Sequence, residues 1–335
     1  MNVRLIECYV PKKIFAGYEE SLGDNLENII WHSICEESNY TVIRLLSETE
    51  HVEKVMDILS SKYGGSNFRI FVTEPTATIP EIKKEEKEEV EDKTPKRVSR
   101  HEIIGKIGDI SNLSKEYYSL LFLAAVVASI GIWLDDVALI IGSMIIAPFL
   151  SPMISFTFSI AVMDTSLAKK SLKNLILGIL TVLVFSFFIG TFIHVSPESP
   201  QVASRMNLGL QNIVIALSAG FVGTLSMLIP EISSTVVGVM IAVALMPPLV
   251  AFGLMLGSGY YLESVPILIL FIVNIISVNF ASASLFYIYG ITPYKWWEIE
   301  KARKLSIFTI IFWFSNLLIL AGIIMLFGNG NLKII

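Results

Sequence analysis

Two runs of this sequence carry residue types that apolar sequence seldom combines. One is GSMIIAPFLSPMISF, from Gly142 to Phe156, and the other is GVMIAVALMPPLVAF, from Gly238 to Phe252. They align at a constant offset of 96, with Gly142 on Gly238, Met144 on Met240, Ile145 on Ile241, Pro152 on Pro248 and Phe156 on Phe252. Five identities in fifteen positions exceed the one or two, roughly, that chance gives in apolar sequence. Each proline lacks an amide hydrogen and leaves a carbonyl one turn upstream without its donor. Pro152 and Pro248 do this at aligned positions, and Pro148 and Pro247 add further breaks. In lipid, such carbonyls must find partners or face a polar cavity. With the hydroxyls of Ser143 and Ser151, and Ser155 beyond, they are oxygen groups suited to a small solute or ion. The bland alternative is a pair of packing kinks.

Carboxylates stand only at the ends of the apolar runs: Asp135 and Asp136 before the first motif, Asp164 after it, and Glu231 at the offset of 96 from Asp135. No Asp, Glu, Lys or Arg lies deep in an apolar run, which argues against a proton pump built on buried carboxylates. Asn274, Ser277, Asn279, Ser282, Ser284 and Asn316 read as hydrogen-bonding glue between helices. The sequence holds no His-Glu-x-x-His, Gly-x-Ser-x-Gly or phosphate loop, so it is not expected to be an enzyme and no cofactor is expected. His194 is solitary. Cys8 and Cys35, without paired histidine spacing, give no metal signal and read as two small buried side chains. No basic stripe marks a nucleic-acid surface.

The elements that position these residues follow from composition. The chain has 335 residues, 53% hydrophobic and only 16% charged, against about 25% charged in soluble domains. The depletion begins near Tyr117, where long apolar runs start. Seven are predicted to span a bilayer: Tyr118–Leu134, Val137–Val162, Leu172–Val195, Leu208–Ile229, Ser233–Gly257, Val265–Gly290 and Ile307–Gly328. Each is near the ~20 residues a span requires. With the N-terminus inside, Lys106, Lys115, Lys169, Lys170, Lys173, Lys295, Lys301, Arg303 and Lys304 fall on the inner side. Only Arg205 and Lys333 fall outside. The positive-inside rule therefore puts the N-terminus in the cytoplasm and the C-terminus outside, in the cell membrane.

Before Tyr117 the chain is polar. Strands are predicted at Val3–Val10, Tyr40–Leu46 and Asn67–Val72, with helices at Asn25–Glu36 and Glu50–Lys62. This β-α-β-α-β order over 1–75 reads as a small α+β, ferredoxin-like domain. Residues 76–100, with EIKKEEKEEVEDKTPKR, form a charged linker that buries too little to fold alone. Residues 101–116 place Ile103, Ile104, Ile107 and Ile110 on one face of an amphipathic juxtamembrane helix. The transmembrane domain covers 117–328: three spans over 118–195, three over 208–290, and an extra helix at 307–328. Three is an odd number, so a second copy enters the membrane from the opposite side. That is an inverted repeat.

The runs DDVALIIGSMIIAPFLSPMISFTFSIAVMD and PEISSTVVGVMIAVALMPPLVAFGLML resemble a membrane family of bacteria and archaea, domain of unknown function 389. The opening MNVRLIECYVPKK is similar to the head of its archaeal-type members. Ser151 stands where the resemblance leads one to expect Gly or another small residue, and Ser keeps the position small. The resemblance supports the architecture and brings no activity. The function expected is therefore a membrane transporter or channel for a small solute or ion, with a regulatory cytoplasmic domain. Its partners would be the lipid bilayer, the solute or ion, and further copies of the chain in a homo-oligomer. The alternative is a membrane-anchored sensor or assembly scaffold without transport. The expected pathway is Gly142, Ser143, Met144, Pro148, Ser151, Pro152, Gly238, Met240, Pro247 and Pro248, with Asp135, Asp136, Asp164 and Glu231 at its ends.

Overall fold

A computed structural model gives the fold. It describes residues 3–15, 29–63, 67–75, 102–103, 115–229, 234–293 and 298–328, with the side chains of 50, 150, 234–244 and 326–328 excepted. The chain divides into two compact units, Met1–Gly105 and Lys106–Ile335. The predicted linker and all of the predicted juxtamembrane helix except Glu102, Ile103, Lys115 and Glu116 lie outside the described residues.

The described residues of the head form an antiparallel four-stranded sheet of β1 (Val3–Pro11), β2 (Ile29–Glu36), β3 (Tyr40–Glu48) and β4 (Arg69–Thr73), with helix α1 (Thr49–Tyr63) between β3 and β4. The strand order is β2-β3-β1-β4. Cys8 lies opposite Ile43 on one side and Ile70 on the other. Ile6, Cys8, Val10, Ile43 and Leu45 thus share one face, buried with Val52, Val55, Met56, Leu59 and Tyr63. Those five fall at helical spacing, which is why α1 was legible. On the other face Arg44 Nε donates to Glu7 Oε1 at 2.7 Å.

The predicted helix Asn25–Glu36 is corrected: 29–36 is strand β2, and 25–28 lie outside the described residues. The physical reason is that β2 is an edge strand. Ile30, Trp31 and Ile34 are exposed, so no period-two burial pattern marks the run. Its β-branched and aromatic residues favour strand. Cys35, on this strand, is exposed while Cys8 is buried, so only one of the two expected buried cysteines is buried.

The second unit is helical. Among the described residues five helices are long and apolar enough to cross a bilayer: α2 (Lys115–Trp133), α5 (Thr165–Phe192), α7 (Leu210–Leu228), α9 (Val265–Ile288) and α10 (Ile299–Gly328). A bent pair, α3 (Val137–Ile146) and α4 (Leu150–Ala161), makes a sixth if counted as one span. The helix α8 (Ser234–Gly257) runs 24 residues. A short α6 (Pro200–Met206), with Pro200 in its first turn, was not predicted. This is a multi-pass membrane protein. Two predicted starts move upstream for polar reasons. Asp164 caps α5, its Oδ1 accepting from the amide of Leu167 at 2.9 Å. Glu300 pairs with Lys304 at 2.9 Å in the first turns of α10.

Buried polar groups join helices. Thr157 Oγ1 donates to Asn279 Oδ1 at 2.7 Å, linking α4 to α9. The hydroxyls of Thr224 and Ser282 lie 2.7 Å apart between α7 and α9.

Candidate functional site

The first motif is built around one proline. Asp136 opens α3 by accepting the amides of Ala138 (2.8 Å) and Leu139 (3.3 Å). The helix ends at Ile146, because Ala147 precedes Pro148 and is pushed to extended backbone, φ −74° and ψ 114°. The Ala147 amide still reaches the carbonyl of Ser143 at 3.1 Å, but the Phe149 amide turns to the carbonyl of Ala147 at 3.0 Å. Helix α4 then starts at Leu150, so Pro152 sits in a first turn, where a missing amide costs little. The two halves meet at a bend of 43°.

The second motif is not broken. Helix α8 continues through Pro247 and Pro248. The expectation of broken helices at symmetric positions is therefore corrected. Pro148 makes the break, and its aligned residue is Ala244. Pro247 and Pro248 still withdraw donors from the carbonyls of Val243 and Ala244.

Other predicted residues are placed as follows. Pro152, Pro247 and Pro248 are buried, while Gly142, Pro148 and Ser151 are half-buried. Ser143 is buried and donates to the carbonyl of Ile140 at 2.6 Å, and Ser155 donates to the carbonyl of Ser151 at 2.5 Å. Met144, Ala147, Phe149 and Met153 pack in one core with Leu245, Met246 and Leu249. The structure thus brings the two motifs together through apolar side chains. Asp136 and Asp164 are helix caps. Asp135 is exposed and holds φ 55°. Gly238 and Met240 lie on α8, but their side chains are outside the description, and Glu231 is outside the described residues. Among the described residues no group of His, Cys, Asp and Glu could hold a metal.

Sequence reasoning missed the junctions that flank the motifs. Met163, between α4 and α5, has φ 57°, and Gly259, between α8 and α9, has φ 88°; their numbers differ by 96. The hydrogen bonds match as well. The amides of Val162, Met163 and Asp164 donate to the carbonyls of Phe158, Ile160 and Ser159. Those of Ser258, Gly259 and Tyr260 donate to Leu254, Leu256 and Met255. Every donor and acceptor is shifted by 96. Both are left-handed helix caps followed by a new helix. Residue identity hid this, since Met163 carries a side chain where such caps favour glycine.

Packing follows the same correspondence. Helices α2, α3/α4 and α5 contact one another, as do α7, α8 and α9. Between the sets, α8 packs on α5, and α4 packs on α9. The α5–α8 crossing is backbone against backbone: a Cβ on Gly257 would collide with the carbonyl oxygen of Phe187 and with Gly190. Ser258 closes that end, accepting the amide of Val195 at 3.1 Å and donating to the carbonyl of Gly190 at 3.2 Å.

The family described as a domain of unknown function, number 389, matches residues 144–280, a stretch that takes in the packed motif core and both junctions. An uncharacterised protein of Methanocaldococcus jannaschii is 44% identical over 313 residues, covering 93% of this chain and 96% of the relative. The chain belongs to this family. No solved structure matches it. Membership in the 389 family carries both motifs and the intervening helices, and it assigns no chemistry to them.

Proposed function

We propose that this protein carries a small solute or ion across the cell membrane as a transporter or channel. In this reading seven spans cross the bilayer, α8 and the α3/α4 pair each counting as one. Helices α2 to α5 and α7 to α9 form an inverted repeat, and α10 is the extra span. The observation that supports it is the alignment of the two motifs at an offset of 96, with a left-handed turn following each at the same offset, at Met163 and at Gly259; the three hydrogen bonds of each turn recur at Asp135 and Gly290 and mark the cap itself. Repeats of three spans related by inversion are the architecture of many secondary transporters, whose sites lie near proline-interrupted helices at the repeat interface. The pathway would run beside the break at Ala147–Phe149 and the proline pair of α8, its oxygens supplied by freed carbonyls. Asp135 and Glu231 would stand at its ends. The N-terminus would be cytoplasmic and the C-terminus outside. No enzymatic step is part of this reading.

The head would regulate the pathway or assemble copies of the chain. We read it as ferredoxin-like: β1 and β2 run parallel with β3 between them, which is the strand arrangement of that fold.

The test is flux in proteoliposomes. Panels of K⁺, Na⁺, Cl⁻, H⁺ and small neutral solutes should include at least one that moves faster with protein than without. Pro152→Ala and Pro248→Ala should each abolish that flux while the protein still inserts and unfolds cooperatively. Undiminished flux in both variants removes the motifs from the pathway. The burial of Met144, Phe149 and Met153 in one apolar core with Leu245, Met246 and Leu249 favours one second reading, a sensor or scaffold without flux. It would be preferred if nothing in the panel moved.

A further inference from the structure

A cavity of about 450 Å³ lies away from the motifs, where α9 ends and α10 begins. Its wall combines Tyr287 and Ile288 from the last turn of α9, Gly290 to Thr292 from the turn, and Ile299, Ala302, Arg303 and Ser306 from α10. The volume is within the ~300–1,000 Å³ of small-molecule sites.

Three observations give it a chemical character. Arg303 is a cation that makes no ion pair among the described residues, whereas Lys304, beside it, is taken by Glu300. Ser306 lines the cavity and is only 9% exposed. The α9 terminus adds little negative potential, because the amides of Tyr289, Gly290 and Ile291 cap the carbonyls of Leu285, Tyr287 and Phe286. The site is thus a guanidinium and a buried hydroxyl beside apolar surface.

Its level in the protein narrows the ligand. Charged residues of α10 end at Lys304, and one turn further Ile307 and Phe308 are exposed apolar side chains. On the other wall Ile288 is 68% exposed. A ligand held here would have its anion among cations at the interface and its body along hydrocarbon. Guanidinium binds phosphate through paired N–H donors, and basic pockets between spans take anionic lipid headgroups.

We propose that this cavity is a binding site for an anionic phospholipid. Its phosphate is held by Arg303, an ester or headgroup oxygen accepts from the Ser306 hydroxyl, and its chains lie over Ile288 and Ile299. The site is separate from the proline motifs and does not depend on transport.

Native mass spectrometry of the detergent-purified full chain tests this, using phosphatidylglycerol and phosphatidylcholine with the same chains. The wild type should retain phosphatidylglycerol more tightly, and Arg303→Gln should lower that retention about fivefold. Ser306→Ala, which removes the hydroxyl with the smallest change in volume, should weaken it as well. Lys301→Gln removes a neighbouring charge that does not line the cavity and should leave retention unchanged. Equal retention of the two lipids overturns the proposal, as does an Arg303→Gln variant that folds and binds like wild type. So does a loss in Lys301→Gln as large as in Arg303→Gln, which would mean a diffuse surface charge. Millimolar inorganic phosphate is the remaining arm. If phosphate alone raises Tm through Arg303 and phosphatidylglycerol adds nothing, the ligand is a free anion and the lipid assignment fails.

Discussion

Helices α3/α4 and helix α8 are aligned residue for residue, and they fold differently. The first pair is bent by 43° at Ala147–Phe149, whereas α8 runs 24 residues through two prolines. Two aligned positions separate the outcomes. Pro148 stands opposite Ala244, and Ser151 opposite Pro247. Pro148 disfavours helical backbone at the residue before it, and Ala147 is extended. Pro152 then costs nothing, because it falls in a new first turn. The prolines of α8 come late in an established helix that packs on α5 and α7, and the helix continues past them. What the two aligned segments share is the junction after the motif, a left-handed cap at the same offset. In this comparison the turn is the constant and the break is the variable.

The largest way to break the comparison is to exchange the variable. Ala244→Pro puts the proline of the α3/α4 break into α8 and should cost about 3 kcal/mol or more. Pro148→Ala should leave stability unchanged or raised. Thermal unfolding in detergent measures both, and equal losses would mean that the break does not depend on Pro148. Next, Gly257→Ala should cost about 1–3 kcal/mol, since its methyl meets the Phe187 carbonyl. Ala161→Gly at the aligned position should cost no more than about 1 kcal/mol. A tolerant Gly257 would show that α5 and α8 do not touch backbone to backbone.

The shared turns give smaller effects. Gly259→Ala should destabilise by about 1 kcal/mol, and Met163→Gly should stabilise or be neutral, because left-handed backbone penalises a side chain. Opposite signs are the expected result; two losses would deny Met163 its positive φ. Asp136→Ala and Asp164→Ala should each cost about 1 kcal/mol as lost caps. Asp164→Asn should recover most of this at neutral pH. If the carboxylate charge itself is needed for flux, Asn will restore Tm and not transport.

The smallest effect lies in the head. Burial pushes the Cys8 thiol up to about 12, so it stays neutral far above the usual thiol value of about 8.5. A maleimide should modify exposed Cys35 and spare Cys8 in the folded protein. The raised pKa favours the folded head below about pH 8.5, and that contribution fades as pH climbs toward 12. Equal labelling of both thiols would contradict the sheet register that buries Cys8 opposite Ile43.

Sequence reached some of this and not the rest, for physical reasons. Apolar length is a strong signal, so α2, α5, α7 and α9 were found within a turn or two. Helix α1 was legible because Val52, Val55, Met56 and Leu59 repeat at helical spacing. Strand β2 was missed, since an exposed edge strand carries no burial alternation. The break was placed by proline chemistry but assigned to both copies, because the proline pair of α8 counted as much as Pro148. The junction at Met163 was invisible, since a left-handed turn at methionine has no composition signature. The caps at Asp136 and Asp164 read as span-end charges, because an ion ligand and a helix cap use the same carboxylate. The cavity beside Arg303 depends on two helices meeting, which no single stretch records.

The central claim is that the second set of three spans is the first set inverted. Single cysteines at Ser166 and at its aligned position Leu262 test it in intact cells, on a background of Cys8→Ala and Cys35→Ser. Both side chains are exposed beside the matching junctions. A membrane-impermeant maleimide should label residue 262 from outside, and should reach residue 166 only after the membrane is opened. Labelling of both from the same side would contradict the inversion, and with it the transporter reading.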